Sequence, residues 1–161
     1  MTTAPAFLSA MDAAVRILAR RQHAEAELRR KLAKREFDPE TVDAVLAECR
    51  DRKYVDDAAT ARFYLEELIR KDYGVNRVRQ AMRGKGFDEA LIQTIADEYA
   101  GSDVERAAAR KALAKKRPAL ARESDHRKRR EKAYRFLAGK GFTGEMIRAA
   151  MSDGEGDADH L

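Results

Sequence analysis

Tyr54-Val55-Asp56-Asp57 leads into a helically spaced run from Ala58 to Asp72. Tyr73-Gly74 follows, then a basic run from Val75 to Arg83, closed by Gly84-Lys85-Gly86-Phe87. This stretch decides the fold. Asp56 or Asp57 supplies a side-chain acceptor for the free N–H groups at a helix start, where negative charge also suits the dipole. Gly84 and Gly86 suit the left-handed conformation that ends a helix and turns Phe87 back onto a core. The same ending recurs as Lys34-Arg35-Glu36-Phe37 and as Gly139-Lys140-Gly141-Phe142, which points to an internal repeat.

Phe37, Phe87 and Phe142 set the register, separated by 50 and 55 residues. Five residues before them stand Leu32, Met82 and Leu137; nine before, Leu28, Val78 and Ala133; five after, Val42, Ile92 and Ile147. Every position is apolar. The pattern predicts an all-α protein of three tandem three-helix repeats, stacked right-to-left into an elongated, curved array. The repeats are expected over residues 6–53, 54–101 and 102–152, followed by a disordered acidic tail over 153–161.

Outward from that register, the first few residues read as disordered. Helical spacing then predicts a helix from Phe7 to Arg21 with Leu8, Met11, Val15 and Leu18 inward. A second helix is expected from Ala24 to Arg35, where Ala24 replaces the hydroxyl cap usual at a helix start. Asp38-Pro39 opens a third helix with an N-cap acceptor and a proline at its first position. Its stripe includes Cys49, read as a small core residue. Helix four has Ala61, Tyr64 or Leu65, and Leu68 inward, and Asp88 caps helix six. Ser102 and Glu105 form a capping box for helix seven, with Val104, Ala108 and Leu113 inward. Pro118 is expected to stop that helix, leaving Arg117 to Asp125 as linker or weak helix. Helix eight starts near His126 and helix nine after Thr143; disorder is expected from Ser152 onward.

Composition narrows the function. Charged residues make up 38% of the 161, tryptophan is absent, and much of the 44% hydrophobic fraction is alanine, which suits thin helical cores. A single cysteine excludes an internal disulfide and fits a reducing cytosol. No apolar run approaches a membrane span, and the start has no basic, cleavable leader, so a cytoplasmic protein is expected. The net charge of +5 is unevenly spread. Residues 103–151 carry 15 Lys and Arg against 6 Asp and Glu, whereas the last ten carry 4 Asp and Glu and no Lys or Arg. So basic a block implies a polyanion or an acidic protein surface as partner.

Tyr54-Val55-Asp56-Asp57, Ala61-Arg62-Phe63, Tyr73-Gly74 with Arg77, and Gly84-Lys85-Gly86-Phe87 together resemble the central block of the RecX family, bacterial regulators of the RecA recombinase. Glu27-Leu28-Arg29-Arg30-Lys31-Leu32 and Phe136-Leu137-Ala138-Gly139-Lys140-Gly141-Phe142 resemble that family's first and third repeats, so the likeness runs from about Met11 to Met151. One departure is Ala81, where the family commonly has an acidic residue. The resemblance implies a monomeric, non-enzymatic protein that binds in the groove of a RecA–single-stranded DNA filament. There it would inhibit ATP turnover, strand exchange and the filament's co-protease role, in DNA repair and the SOS response.

Catalysis finds no support in the residues themselves. His23, His126 and His160 are scattered and lack partners at metal-ligand spacing. Gly84-Lys85-Gly86 ends a helix instead of opening one after a strand, so it is no phosphate loop. Asp56-Asp57 reads as a helix cap before a metal pair. No cofactor is implied. Binding is better supported, because the second helix of every repeat is basic. The candidates are Arg29, Arg30 and Lys34, with Lys31 and Arg35; Arg77, Arg79, Arg83 and Lys85; and Arg127, Lys128, Arg129, Arg130, Arg135 and Lys140, with Lys132. Lined up in a repeat array they predict one basic stripe whose affinity falls steeply with salt. Tyr73 and Tyr134 could stack on single-stranded bases, although packing suits them as well. The alternative is a helix-turn-helix protein that binds single- or double-stranded DNA directly through one Gly-Lys-Gly-Phe turn.

Overall fold

The computed structural model describes residues 1–156. Among them are nine helices and no strand: α1 (Ala4–Leu18), α2 (Glu25–Ala33), α3 (Pro39–Asp51), α4 (Asp57–Arg70), α5 (Val75–Lys85), α6 (Glu89–Tyr99), α7 (Asp103–Leu120), α8 (His126–Gly139) and α9 (Gly144–Gly156). The chain is an all-α repeat protein, and no helix among the described residues is long and apolar enough to cross a membrane. All nine register positions around the three phenylalanines are buried. Phe87 and Phe142 are buried with them, whereas Phe37 is half-buried at the edge of its core.

The chain divides into two compact units. One holds Met1–Tyr64 with Met82–Leu91, the other Leu65–Ala81 with the chain from Ile92, so the second repeat is shared between them. In the first unit α1 packs on α3 and α2 on both, around Leu28, Leu32, Val45, Leu46 and Cys49. The buried face of α1 is Ala10, Ala13, Ala14 and Ile17. This corrects the predicted stripe: Met11 and Leu18 only flank the core, and Leu8 (67% exposed) and Val15 point to solvent. Alanine lets the two helix backbones approach closely, and an apolar-size pattern overlooks it. In the second unit α7, α8 and α9 enclose Ala108, Ala109, Ala112, Leu137, Phe142, Ile147 and Ala150. Val104 is exposed, again because alanines hold the inward face.

Three expected boundaries differ. Helix α1 begins at Ala4, where the Thr3 hydroxyl accepts the Ala6 N–H and Pro5 occupies the first turn, so the start is ordered. Helix α7 continues through Pro118 to Leu120: Pro118 sits exposed in the last turn, and carrying on buries Leu120. The linker is thereby only 121–125. Helix α9 runs to Gly156 instead of ending at Met151, because the Asp153 carboxylate accepts from the guanidinium groups of Arg106 and Arg110 on α7. The rest of the expected tail, 157–161, lies outside the described residues.

The turns carry the repeat logic. Gly86 (φ 82°) and Gly141 (φ 95°) take the left-handed conformation, and Glu36 (φ 64°) holds the same place in repeat one; Gly84 and Gly139 are helical instead. A Cβ on Gly86 would meet the Ala26 Cβ at 2.6 Å, and one on Gly141 would meet Arg77 at 2.4 Å. These turns therefore dock against the start of the middle helix of the preceding repeat. Two backbone hydrogen bonds fix the second docking, from the Gly74 N–H to the Lys140 carbonyl and from the Asn76 N–H to the Gly141 carbonyl, both 2.9 Å. At the corresponding turn of repeat one, Glu36 keeps an exposed side chain.

The caps cross repeats too. Asp56 caps its own helix, accepting the Ala59 N–H at 3.1 Å. Asp57 instead accepts the first N–H of α2, from Glu25, at 2.9 Å. Glu105 accepts the first N–H of α5, from Val75, at 2.9 Å, and the Gly101 N–H at 2.7 Å. In repeat three, Asp125 caps α8 from its own chain position.

The register yields a stability prediction. Phe87→Ala should cost about 3–5 kcal/mol in urea unfolding, as for a buried aromatic, and Phe37→Ala distinctly less because that ring is half-exposed. Equal losses at both positions would contradict the burial pattern.

Candidate polyanion-binding surfaces

In the first unit, Arg29 pairs with Asp43 across to α3. Arg30, Lys34 and Arg35 project to solvent with no ion-pair partner among the described residues. Arg83 forms a two-toothed pair with Glu89 at 3.1 and 2.6 Å, which also holds its guanidinium charge above the ordinary range. Lys85 stands 3.7 Å from Glu27 and over the Tyr64 ring at 5.3 Å. Glu27 is pushed up by burial, but its hydrogen bond from Arg21 and the Lys85 charge outweigh that and lower its pKa.

In the second unit, Arg77 and Lys140 lie over the Tyr73 ring at 5.0 and 4.9 Å, and Lys140 also donates to the Lys71 carbonyl at 2.8 Å. Tyr73 is thus engaged by protein cations, and its backbone carbonyl accepts from the Tyr99 hydroxyl at 2.7 Å. Burial, then the nearby Glu105 and Asp72 charges, push the Tyr99 phenol well above its ordinary value, so it stays a donor. Arg79 is partly buried and 3.9 Å from Asp97. On α8, Arg127 pairs with Glu131 at 3.3 Å, and Arg129 donates to the Glu123 carbonyl at 3.1 Å. Arg130 pairs with Glu155, and Lys132 with Glu123 at 2.7 Å. Arg135 reaches Glu131 only at 4.0 Å, and Lys128 has no ion-pair partner among the described residues. Tyr134 is exposed on the same helix.

Many of the candidates are therefore committed internally. The acidic end of α9 is the largest such sink, since Asp153 and Glu155 engage Arg106, Arg110 and Arg130. Sequence reading missed this because it treated the acidic end as unstructured. The charge available to a partner is concentrated at Arg30, Lys34 and Arg35 in one unit and at Lys128, Arg127 and Arg135 in the other. Among the described residues no group of three or more His, Cys, Asp or Glu is placed to hold a metal ion. Cys49 is buried, and burial raises its thiol pKa, which makes it a core residue.

Three family models match in tandem: the first three-helix domain of RecX over residues 10–49, the second over 56–94 and the third over 103–151. The Regulatory protein RecX of Halorhodospira halophila is 30% identical over 146 residues, covering 91% of this chain and 88% of its own. That of Vibrio vulnificus is 30% identical over 149 residues, covering 92% and 95%. Among solved structures, RecX from Lactobacillus salivarius superposes with a TM-score of 0.85 over 94% of this chain and 97% of its own. A second, titled regulatory protein RecX, does so with a TM-score of 0.82 over 91% and 72%. At 16% and 23% identity these two establish the fold alone.

The α9 clamp predicts a pH effect. Hydrogen bonds first from Arg106 and then from Arg110 lower the Asp153 pKa below its ordinary 3.8. A carboxylate so depressed stabilises the folded chain fully above 3.8, and that contribution is lost as pH falls through its lower folded value. Protection of the amides over residues 152–156, relative to their unfolded exchange rate at the same pH, should therefore fall at strongly acidic pH, and Asp153→Asn should show the same loss of protection already at neutral pH. A variant as protected as wild type at neutral pH would show that the clamp does not hold the helix end.

Proposed function

The chain belongs to the RecX family, and from that premise we propose that it is an inhibitory regulator of the RecA recombinase. It binds the RecA–single-stranded DNA filament and restrains its ATPase, strand-exchange and co-protease activities in DNA repair and the SOS response. It works in the cytoplasm as a monomer and as a binding protein, with no reaction of its own. The observation that carries this reading is the ordered match of three RecX domains over residues 10–151, together with relatives named as regulatory proteins.

The chemistry supports it. A nucleoprotein filament presents phosphate and acidic protein surface at a regular repeat. A chain with a group of solvent-facing cations in excess of their acid partners in each of two compact units can engage such a lattice at two points, gaining avidity without new kinds of contact. The helix-turn-helix alternative finds less support. The turns at Gly86 and Gly141 are pressed against Ala26 and Arg77, so neither is open to a duplex groove.

The test is DNA-dependent ATP hydrolysis by RecA with and without this protein. Wild type should lower the rate, less so as salt is raised. Arg127→Glu, Lys128→Glu and Arg135→Glu together should inhibit markedly less, with an unchanged circular dichroism spectrum; Arg129 and Arg130 are poorer targets because they hold Glu123 and Glu155. A wild-type protein without effect on the rate would overturn the reading.

A further inference from the structure

Repeat one contains a cleft of about 710 Å³ between the ends of α1 and α2. Six cations line it: Arg16, Arg20 and Arg21 from the end of α1 and the residues after it, and Lys31, Lys34 and Arg35 from the end of α2 and beyond. Ile17 and His23 complete the lining, and no carboxylate does. Many other surface cations face acids, as in Arg29–Asp43, Arg52–Glu48, Arg83–Glu89 and Lys132–Glu123. Here Arg16 and Arg21 are paired with Asp12 and Glu27, but Arg20, Lys34 and Arg35 have no ion-pair partner among the described residues. Like charges crowded into a concave surface repel one another, and such an arrangement is relieved by an anion bound among them.

His23 shows how the cleft keeps its charge. Its ring is buried, and Nδ1 lies 2.9 Å from the Arg21 carbonyl. That carbonyl can only accept, so Nδ1 carries the proton and Nε2 is left as an acceptor. The Lys31 ammonium donates to Nε2 at 2.7 Å. Burial lowers the His23 pKa, with the Arg21 and Lys31 charges acting in the same direction. A neutral ring thus anchors Lys31 without cancelling its charge, where a carboxylate would have cancelled it.

We propose that this cleft between the ends of α1 and α2 binds the phosphate backbone of a single nucleic-acid strand directly. The lining favours a strand over a nucleotide or a base-specific ligand. It offers no Phe, Tyr or Trp to stack on a base and no Asn, Gln, Asp or Glu to read one; the His23 ring is buried and engaged by the Arg21 carbonyl and Lys31, and the remaining polar groups are guanidinium and ammonium groups suited to phosphate oxygens. The inference goes beyond the filament reading and stands or falls without it, because the site needs no recombinase.

The experiment is fluorescence anisotropy of a fluorescein-labelled oligothymidylate titrated with the full chain alone. Arg20→Glu, Lys34→Glu and Arg35→Glu together should weaken binding at least about tenfold and flatten the slope of log affinity against log salt by about 2. The neutral triple with Gln at the same positions should lose affinity in the same direction, and it guards against misfolding of the Glu triple. A control of equal charge change, Arg70→Glu, Arg122→Glu and Arg148→Glu, should stay within about threefold of wild type. Cleft variants that bind like wild type, or a control that loses as much as they do, would overturn the proposal. Displacement of the strand by inorganic tripolyphosphate at equal phosphate concentration would overturn it too, by assigning the cleft to free polyphosphate.

Discussion

A carboxylate from the following repeat starts the middle helix of each of the first two repeats, and the register of the fold depends on it. Helix α2 is preceded by Ala24 and α5 by Gly74, neither of which has a side chain able to cap. Their first N–H groups lie at or near buried positions, where an unpaired donor costs about 1–3 kcal/mol. Asp57 and Glu105 satisfy them, Glu105 from a fully buried position. Asp57 begins α4 and Glu105 lies in the first turn of α7, so the start of one repeat and the middle of the previous one are fixed together. Glycine turns press against the same helix starts, which leaves no space for a Cβ at Gly74, Gly86 or Gly141. The remaining cap and turn differ: α8 is capped by Asp125 from its own repeat, and the turn of repeat one carries Glu36.

With the repeats joined by hydrogen bonds and backbone contact, the outer faces are left to carry charge. How that charge is distributed follows from which acids are nearby. On α5 the cations lie against Glu27, Glu89, Asp97 and the Tyr64 and Tyr73 rings, and so serve the fold. On α8 the acidic end of α9 and Glu123 take up Arg130 and Lys132. Around the end of α2, Arg30, Lys34 and Arg35 form no ion pair among the described residues and remain for a partner. A protein with a net charge of +5 thereby confines its available positive charge to a few places instead of spreading it over every basic helix.

The repeat was legible in the sequence because large apolar side chains at fixed distances from a phenylalanine have one economical explanation, a recurring core. Leu28, Leu32, Met82, Leu137, Ile92 and Ile147 all proved buried. Alanine defeated the same reasoning. On α1 and α7 the inward faces are alanine-lined, and Leu8, Val15 and Val104, larger and more hydrophobic, face water. Local rules also misjudged Pro118, whose exposed place in a last turn costs less than leaving Leu120 uncovered. The inter-repeat caps were illegible for a different reason. Asp57 and Glu105 act on residues 32 and 30 positions away, so Asp56-Asp57 looked like a single cap and Ser102 with Glu105 like a self-contained box. The basic clusters were found by composition, but which of their members are free depends on acids distant in sequence.

Native-state amide hydrogen exchange at Glu25 and Val75 tests the account most directly. First-turn amides have no acceptor within their own helix and ordinarily exchange quickly. Here both should be protected as strongly as core amides of the same helices, and Asp57→Ala should abolish protection at Glu25 while leaving Val75 slow. Fast exchange at both amides in the wild-type protein would contradict the claim that carboxylates from the next repeat hold these helices in place.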